Sequence, residues 1–125
     1  MSKIQDTIRL LKAAKRRIRY PSRWVRCLYA VNDDNHRVDP EDVTAVAWCT
    51  IGALRNTAYR LKLDYALPDA AIELARTIDA YAADQDNAVQ MVQEYNDAPS
   101  TGHNDVMPLF DETIERLQQE EKAPC

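Results

Sequence analysis

Trp48-Cys49-Thr50-Ile51-Gly52-Ala53-Leu54 is the stretch on which the fold turns. It places a tryptophan, a cysteine and one of only two glycines in an apolar run. A glycine in a helix interior costs about 1 kcal/mol against alanine. Its presence here asks for a second backbone, or a ligand, lying against the helix. The flanking residues extend the helical reading. Asp39-Pro40-Glu41-Asp42 has the form of a helix start, with Asp39 as cap, Pro40 at the first helical position, and Glu41 and Asp42 complementing the dipole. Val43, Ala47, Thr50, Ile51, Leu54, Ala58 and Leu61 then share one face. Ala45, Trp48, Cys49 and Ala53 widen that face almost to a full circle. The spacing predicts a helix from Pro40 to Leu63, buried at the centre of the domain.

Working outward, Ile4, Ile8, Leu11 and Ile18 mark one face of a first helix over Lys3 to Arg19. Arg9, Lys12, Arg16 and Arg19 line another face, and the stem of Lys15 must snorkel. Residues 22–38 combine the aromatic and β-branched run Trp24 to Val31 with the turn formers Asn32-Asp33-Asp34-Asn35. They read as a short β-hairpin or extended arm. Pro68-Asp69 opens a helix to about Ala83, with Ala71, Leu74, Ile78 and Tyr81 inward. A short helix follows, with Ala88, Val89, Val92 and Tyr95. Asn96 to Gly102 is a loop. A last helix buries Val106, Leu109, Phe110, Thr113, Ile114 and Leu117. Pro108 sits near its first turn if Asn104 is the cap, and kinks it if Thr101 is. The result is a mainly α single domain of four to five helices around a buried central helix. It divides into a basic first helix (1–20), the arm (22–38), a helical core (39–117) and a frayed tail (118–125).

Composition narrows the function classes. A chain of 125 residues, 46% hydrophobic and 29% charged, fits one domain with a core of its own. Three cysteines, Cys27, Cys49 and Cys125, with no CxxC spacing, argue against a disulfide framework and a zinc site. The N-terminus lacks a signal-peptide core and no run is long enough to span a bilayer, so a reducing cytoplasm is the expected location and no membrane partner is expected. The net charge of −4 hides a split: residues 1–37 hold ten Lys/Arg and three Asp, residues 38–125 six Lys/Arg and seventeen Asp/Glu. Either the basic helix docks on the acidic remainder, which is the simpler reading, or it offers a polyanion site.

Few residues carry chemistry. Cys49 is the one candidate nucleophile, with His36 or His103 as base and Asn96 or Asp97 as orienter. Its place deep in the predicted helix and beside Trp48 favours a buried, inert thiol. The two histidines and the neighbouring Asp33, Asp34 and Asp105 would make a metal site only if the fold united them, and none is expected. Asn96 and Asp97 read first as turn and cap residues. Together with Trp24, Trp48, Cys49, Gly52 and Thr101 they outline a candidate pocket. Arg9, Lys12, Arg16, Arg19, Arg23 and Arg26 form the only basic cluster that could hold a partner. With two glycines the chain holds no glycine-rich phosphate loop, and it has no HExxH or GxSxG element. No cofactor is expected.

The series Pro21-x-x-Trp24, Ala30, Asp33, Trp48-Cys49-x-x-Gly52-Ala53-Leu54, Asn96-Asp97-x-Pro99-x-Thr101 and Asp105-Val106 resembles a family of small bacterial and phage proteins of unknown function. The resemblance runs from about Ile8 to Ile114. It departs at Tyr95, where the family tends to have Trp, and at Asn35 or His36, where it tends to have Gly. It implies a phage or mobile-element setting and no activity. The expected function is that of a non-enzymatic accessory protein acting on a protein partner, an inhibitor of a host machine being one instance. Nucleic-acid binding through the first helix, and a small-molecule or enzymatic pocket around Cys49, Asn96 and Asp97, are the alternatives. Self-association is left open.

Overall fold

In the computed structural model, which describes residues 3–123, four helices surround one buried helix, and a two-stranded sheet closes one end. The first helix, α1 (Lys3–Arg17), buries Ile8, Leu10, Leu11 and Ala14. It packs on α2 (Thr50–Leu61), α3 (Leu67–Ile78) and α5 (His103–Lys122). The fourth helix, α4 (Ala88–Asp97), lies against α3 and α2. Helix α2 is the central one, with eight of its residues buried from Thr50 to Ala58.

The central helix starts ten residues later than its sequence pattern predicts. Residues 39–49 are turns and strand, not helix. Asp42 does not continue a first turn; its carboxylate accepts from the Thr44 N–H at 2.8 Å and the Thr44 hydroxyl at 2.7 Å. Val43, predicted to face inward, is 85% exposed. Pro40 is buried, and its carbonyl accepts from Trp48 Nε1 and Asn56 Nδ2. Those two bonds fold the 40–48 segment back over α2, and a proline placed to start a helix becomes an anchor instead.

Strand β2 (Ala47–Trp48) pairs antiparallel with β1 (Ala30–Val31), Ala30 opposite Trp48 and Val31 opposite Ala47. Single bridges join Trp24 to Trp48 on one side and Val31 to Arg37 on the other. The expected hairpin of residues 22–38 thus closes only at the Val31–Arg37 bridge, and the ladder is made with β2. Asn32 holds the turn, its Oδ1 accepting from the N–H groups of Asp34 and His36.

Gly52 is explained by β1's approach. A Cβ built there would lie 1.9 Å from the Tyr29 carbonyl oxygen. The second backbone that the glycine calls for is therefore that of Tyr29. At its other end α2 closes with Lys62 in the left-handed conformation (φ 59°) and Leu63 N–H bonded to the Ala58 carbonyl. This is the Schellman pattern with lysine where glycine is usual.

Three further boundaries move. Helix α3 ends at Ile78, because the Asp79 carboxylate takes the N–H groups of Tyr81 and Ala82 into a turn. Tyr81, predicted inward, is fully exposed. Helix α5 is capped by neither Thr101 nor Asn104 but by Gly102, whose N–H donates to Asp105 at 2.7 Å. Pro108 then falls in the second turn, where it deprives only the exposed Asn104 carbonyl of a partner. The helix also continues through the predicted frayed tail to Lys122, aided by an Arg116–Glu120 ion pair. It stops at Ala123, before Pro124, as a residue preceding proline must. Cys125, with the last of the tail, lies outside the described residues.

Candidate functional site

The polar residues singled out in sequence converge on Asn96, in the last turn of α4. Its side chain is fully buried. Asn96 Oδ1 accepts from Trp24 Nε1 at 2.7 Å, from the Thr50 N–H at 3.0 Å and from the Thr50 hydroxyl at 2.7 Å. Its Nδ2 donates to the Val25 carbonyl at 3.1 Å and to Asp97 at 2.9 Å. One amide thus ties together the arm before β1, the N-terminus of α2 and the end of α4. The sequence marked Asn96 as a helix-terminal cap of its own segment; the structure uses it as a cap for α2.

Asp97 extends the cluster outward. Its carboxylate accepts from the Cys27 N–H at 2.8 Å, from Asn96, and from Gln93 Nε2 at 2.9 Å. Burial works against its charged form, but these hydrogen bonds and the nearby Arg26 hold the carboxyl below its ordinary range. Cys27, the residue that it holds, has φ 68°, a left-handed conformation that costs energy outside glycine. Arg26 reaches the Thr101 carbonyl and packs over the Trp24 ring at 5.2 Å. Thr101 itself is buried at the foot of the loop into α5.

Cys49 is the N-cap of α2, not a mid-helix residue. Its sulfur accepts from the Gly52 N–H at 3.2 Å, and its thiol faces Gln93 Oε1 at 3.6 Å. A helix N-terminus favours a thiolate. Burial outweighs it here and, with the charge of Asp97, pushes the thiol up to about 11. Burial thus disfavours the thiolate at a helix N-terminus that would otherwise favour it. His103 Nε2 donates to the Ile18 carbonyl, 2.7 Å away, and the ring meets Trp24 edge-on. His36 lies exposed in the turn after β1. Neither approaches Cys49 as a base would. Among the described residues no group of three or more His, Cys, Asp or Glu side chains could hold a metal.

Beside this cluster a concavity of about 360 Å³ is lined by Cys27, Gln93 and Asp97 with Tyr29, Arg37 and Arg55. Of the candidate pocket residues only Asp97 lines it. Trp24, Trp48, Cys49, Gly52, Asn96 and Thr101 serve contacts within the protein. Trp48 spends its N–H on Pro40 and its ring face on Arg17, 5.4 Å from the centroid. Gln93, Thr50 and Cys27 complete the cluster and were not legible as site residues. Only the alternate-turn spacing of Gln93 and Asp97 on α4 hints at their pairing.

Of the basic candidates Arg26 belongs to this centre and the other five stand apart from it. Arg9, Lys12, Arg16, Arg19 and Arg23 are exposed, and none is paired with a carboxylate among the described residues. Among the described residues the ion pairs from α1 are Lys3–Asp69 and Lys15–Asp111. The basic helix thus docks on the acidic remainder in part: these two pairs tie it to α3 and α5, and Lys12, Arg16 and Arg19 share a concavity with Asp111 and Glu115 without an ion pair to them. Its apolar side packs on α2, α3 and α5, and the two ion pairs add to the contacts with α3 and α5. No helix among the described residues is long and apolar enough to cross a membrane.

Fold and site together define a small, mainly helical protein whose polar centre joins distant segments and whose unpaired cations lie outside. The chain belongs to DUF6197, a family of unknown function, whose family model matches residues 3–116. No curated protein and no solved structure matches the chain.

Proposed function

We propose that the protein is a non-enzymatic accessory protein that binds an acidic protein partner through the outer face of α1. The carrying observation is that Arg9, Lys12, Arg16, Arg19 and Arg23 are exposed together and that none of them forms an ion pair among the described residues. Complementary charge steers encounter and fixes orientation, and unpaired guanidinium groups are suited to carboxylates. The reading is supported from the other side by the centre of the fold. Cys49, Asn96 and Asp97 already have partners within the chain, which leaves the surface as the place of function. If the setting is the phage or mobile element that the sequence resemblance implies, the partner is a host protein, met in the cytoplasm and inhibited by the contact.

The test replaces Arg9, Lys12, Arg16 and Arg19 with Glu together, since single rim charges contribute little. Each form is used to capture partners from the natural host. The wild type should retain a defined acidic protein and the variant should lose it. Equal retention by both would overturn the proposal.

A further inference from the structure

Between the end of α1 and the far half of α2 lies a concavity of about 350 Å³, edged by Arg16, Arg17, Arg19, Arg23 and Arg60. The five come from α1, the turn after it and the last turn of α2. No carboxylate lines the concavity, and none of the five makes an ion pair among the described residues. Thr57 is on its wall, but its hydroxyl already donates to the Ala53 and Leu54 carbonyls.

The arrangement is held in place without a counter-ion. Arg17 is the least exposed of the five; its guanidinium lies over the Trp48 ring, and its Nε is buried with no hydrogen-bond partner. Burial weakens its charged form, and repulsion from Arg60 and Arg23 adds to that. At the mouth, Arg19 and Arg23 pack on the Tyr20 ring at 4.9 and 5.8 Å. Pro21 opens the 3₁₀ turn that carries Arg23, which limits the freedom of that segment.

Five cations gathered without compensation repel one another, and an anion placed among them would relieve that cost. Guanidinium forks match phosphoryl oxygens in bidentate geometry. The volume lies at the small end for ligand sites, so the anion must be compact and multiply charged. A long polyanion would also meet the seventeen acids of residues 38–125, whereas a compact one meets chiefly the pocket. We propose that this pocket binds a compact phosphoryl anion, a pyrophosphate group or the polyphosphate of a nucleotide. The pocket shares Arg16, Arg19 and Arg23 with the face of the partner reading, but Arg17 and Arg60 belong to the pocket alone and Arg9 and Lys12 to that face alone, so the two can fail separately.

The test titrates the full chain with inorganic pyrophosphate at constant ionic strength, followed by calorimetry. Saturable one-to-one binding is expected. Arg23→Met and Arg60→Met, both at exposed positions, should each weaken it by about tenfold, as the loss of a charge-assisted contact would. The double change Arg9→Glu and Lys12→Glu, which spares the pocket, should leave it within about twofold in screening salt. Binding no stronger than that of citrate would overturn the proposal. So would unchanged affinity in both methionine variants, or a single-stranded oligonucleotide binding through the same arginines more tightly than pyrophosphate.

Discussion

The Asn96 cluster and the arginine face of α1 treat polar groups in opposite ways. Around Asn96 the side-chain amide makes five hydrogen bonds inside the protein. Along α1 the outward guanidinium groups make no ion pair among the described residues. A buried donor without a partner costs far more than an exposed cation without one. The first region therefore has to be satisfied for the chain to fold. The second is free to be satisfied by something else. Substitutions in the two regions should differ about tenfold in their effect on stability, and that difference can be broken experimentally.

The largest effect is expected at Asn96. Asn96→Ala strands Trp24 Nε1 and the Thr50 N–H in the interior. At about 1–3 kcal/mol for each stranded donor, the loss should come to about 3–4 kcal/mol. The urea midpoint should fall accordingly, with the slope unchanged. A loss under about 1 kcal/mol would mean that water or a rearranged neighbour replaces the amide, and the cluster would no longer be a structural necessity.

Gly52→Ala should come next, with a sign opposite to helix propensity. Alanine in a helix interior ordinarily gains about 1 kcal/mol over glycine. Here the added Cβ meets the Tyr29 carbonyl at 1.9 Å, and backbone must move. A net loss of about 2–3 kcal/mol is expected from thermal melts. A stabilised variant would show that β1 can withdraw from α2 at little cost, and would uncouple the arm from the Asn96 cluster.

These two sites also show how far the sequence could be read. Periodicity identified the buried faces of α1 and α5 down to Leu11, Ile18, Phe110 and Ile114, because a helix face is a local property. Gly52 announced a close neighbour, yet not which one, since Tyr29 reaches it only through strand pairing. Cys49 was misplaced because sulfur is an unusual cap, while Asp39-Pro40 matched the usual start. Asn96 and Asp97 were legible as polar residues at a helix end. Their partners Trp24, Val25 and Cys27 lie far off in the chain and left no local signal. Arg60 likewise joined the arginine pocket by tertiary packing alone.

A smaller effect, confined to acid, is expected at Asp97. Its folded carboxyl lies below the ordinary aspartate value of about 3.9. A depressed folded pKa contributes stability that is complete above the unfolded value and is lost as pH falls through the folded one. Melting temperature should therefore decline below about pH 4 more steeply in the wild type than in Asp97→Asn. Parallel declines would detach Asp97 from the stability of the cluster and leave it a surface group.

The smallest effect tests the other region. Lys12 is exposed in the middle of α1, with Arg9 and Lys15 three residues away and Arg16 four residues on. Like charges at these spacings repel weakly, and a carboxylate placed N-terminal to a cation at four residues is the favourable order. Lys12→Glu should therefore stabilise the protein, by about 0.3–0.5 kcal/mol, with nothing in the core disturbed. The gain should shrink in high salt, because exposed charges are screened. A stabilising charge reversal on α1 is what unpaired cations held for an outside anion predict. A loss of 1 kcal/mol or more would mean instead that Lys12 already has a partner in the fold, and the contrast between a satisfied centre and an unsatisfied face would fail on its second side.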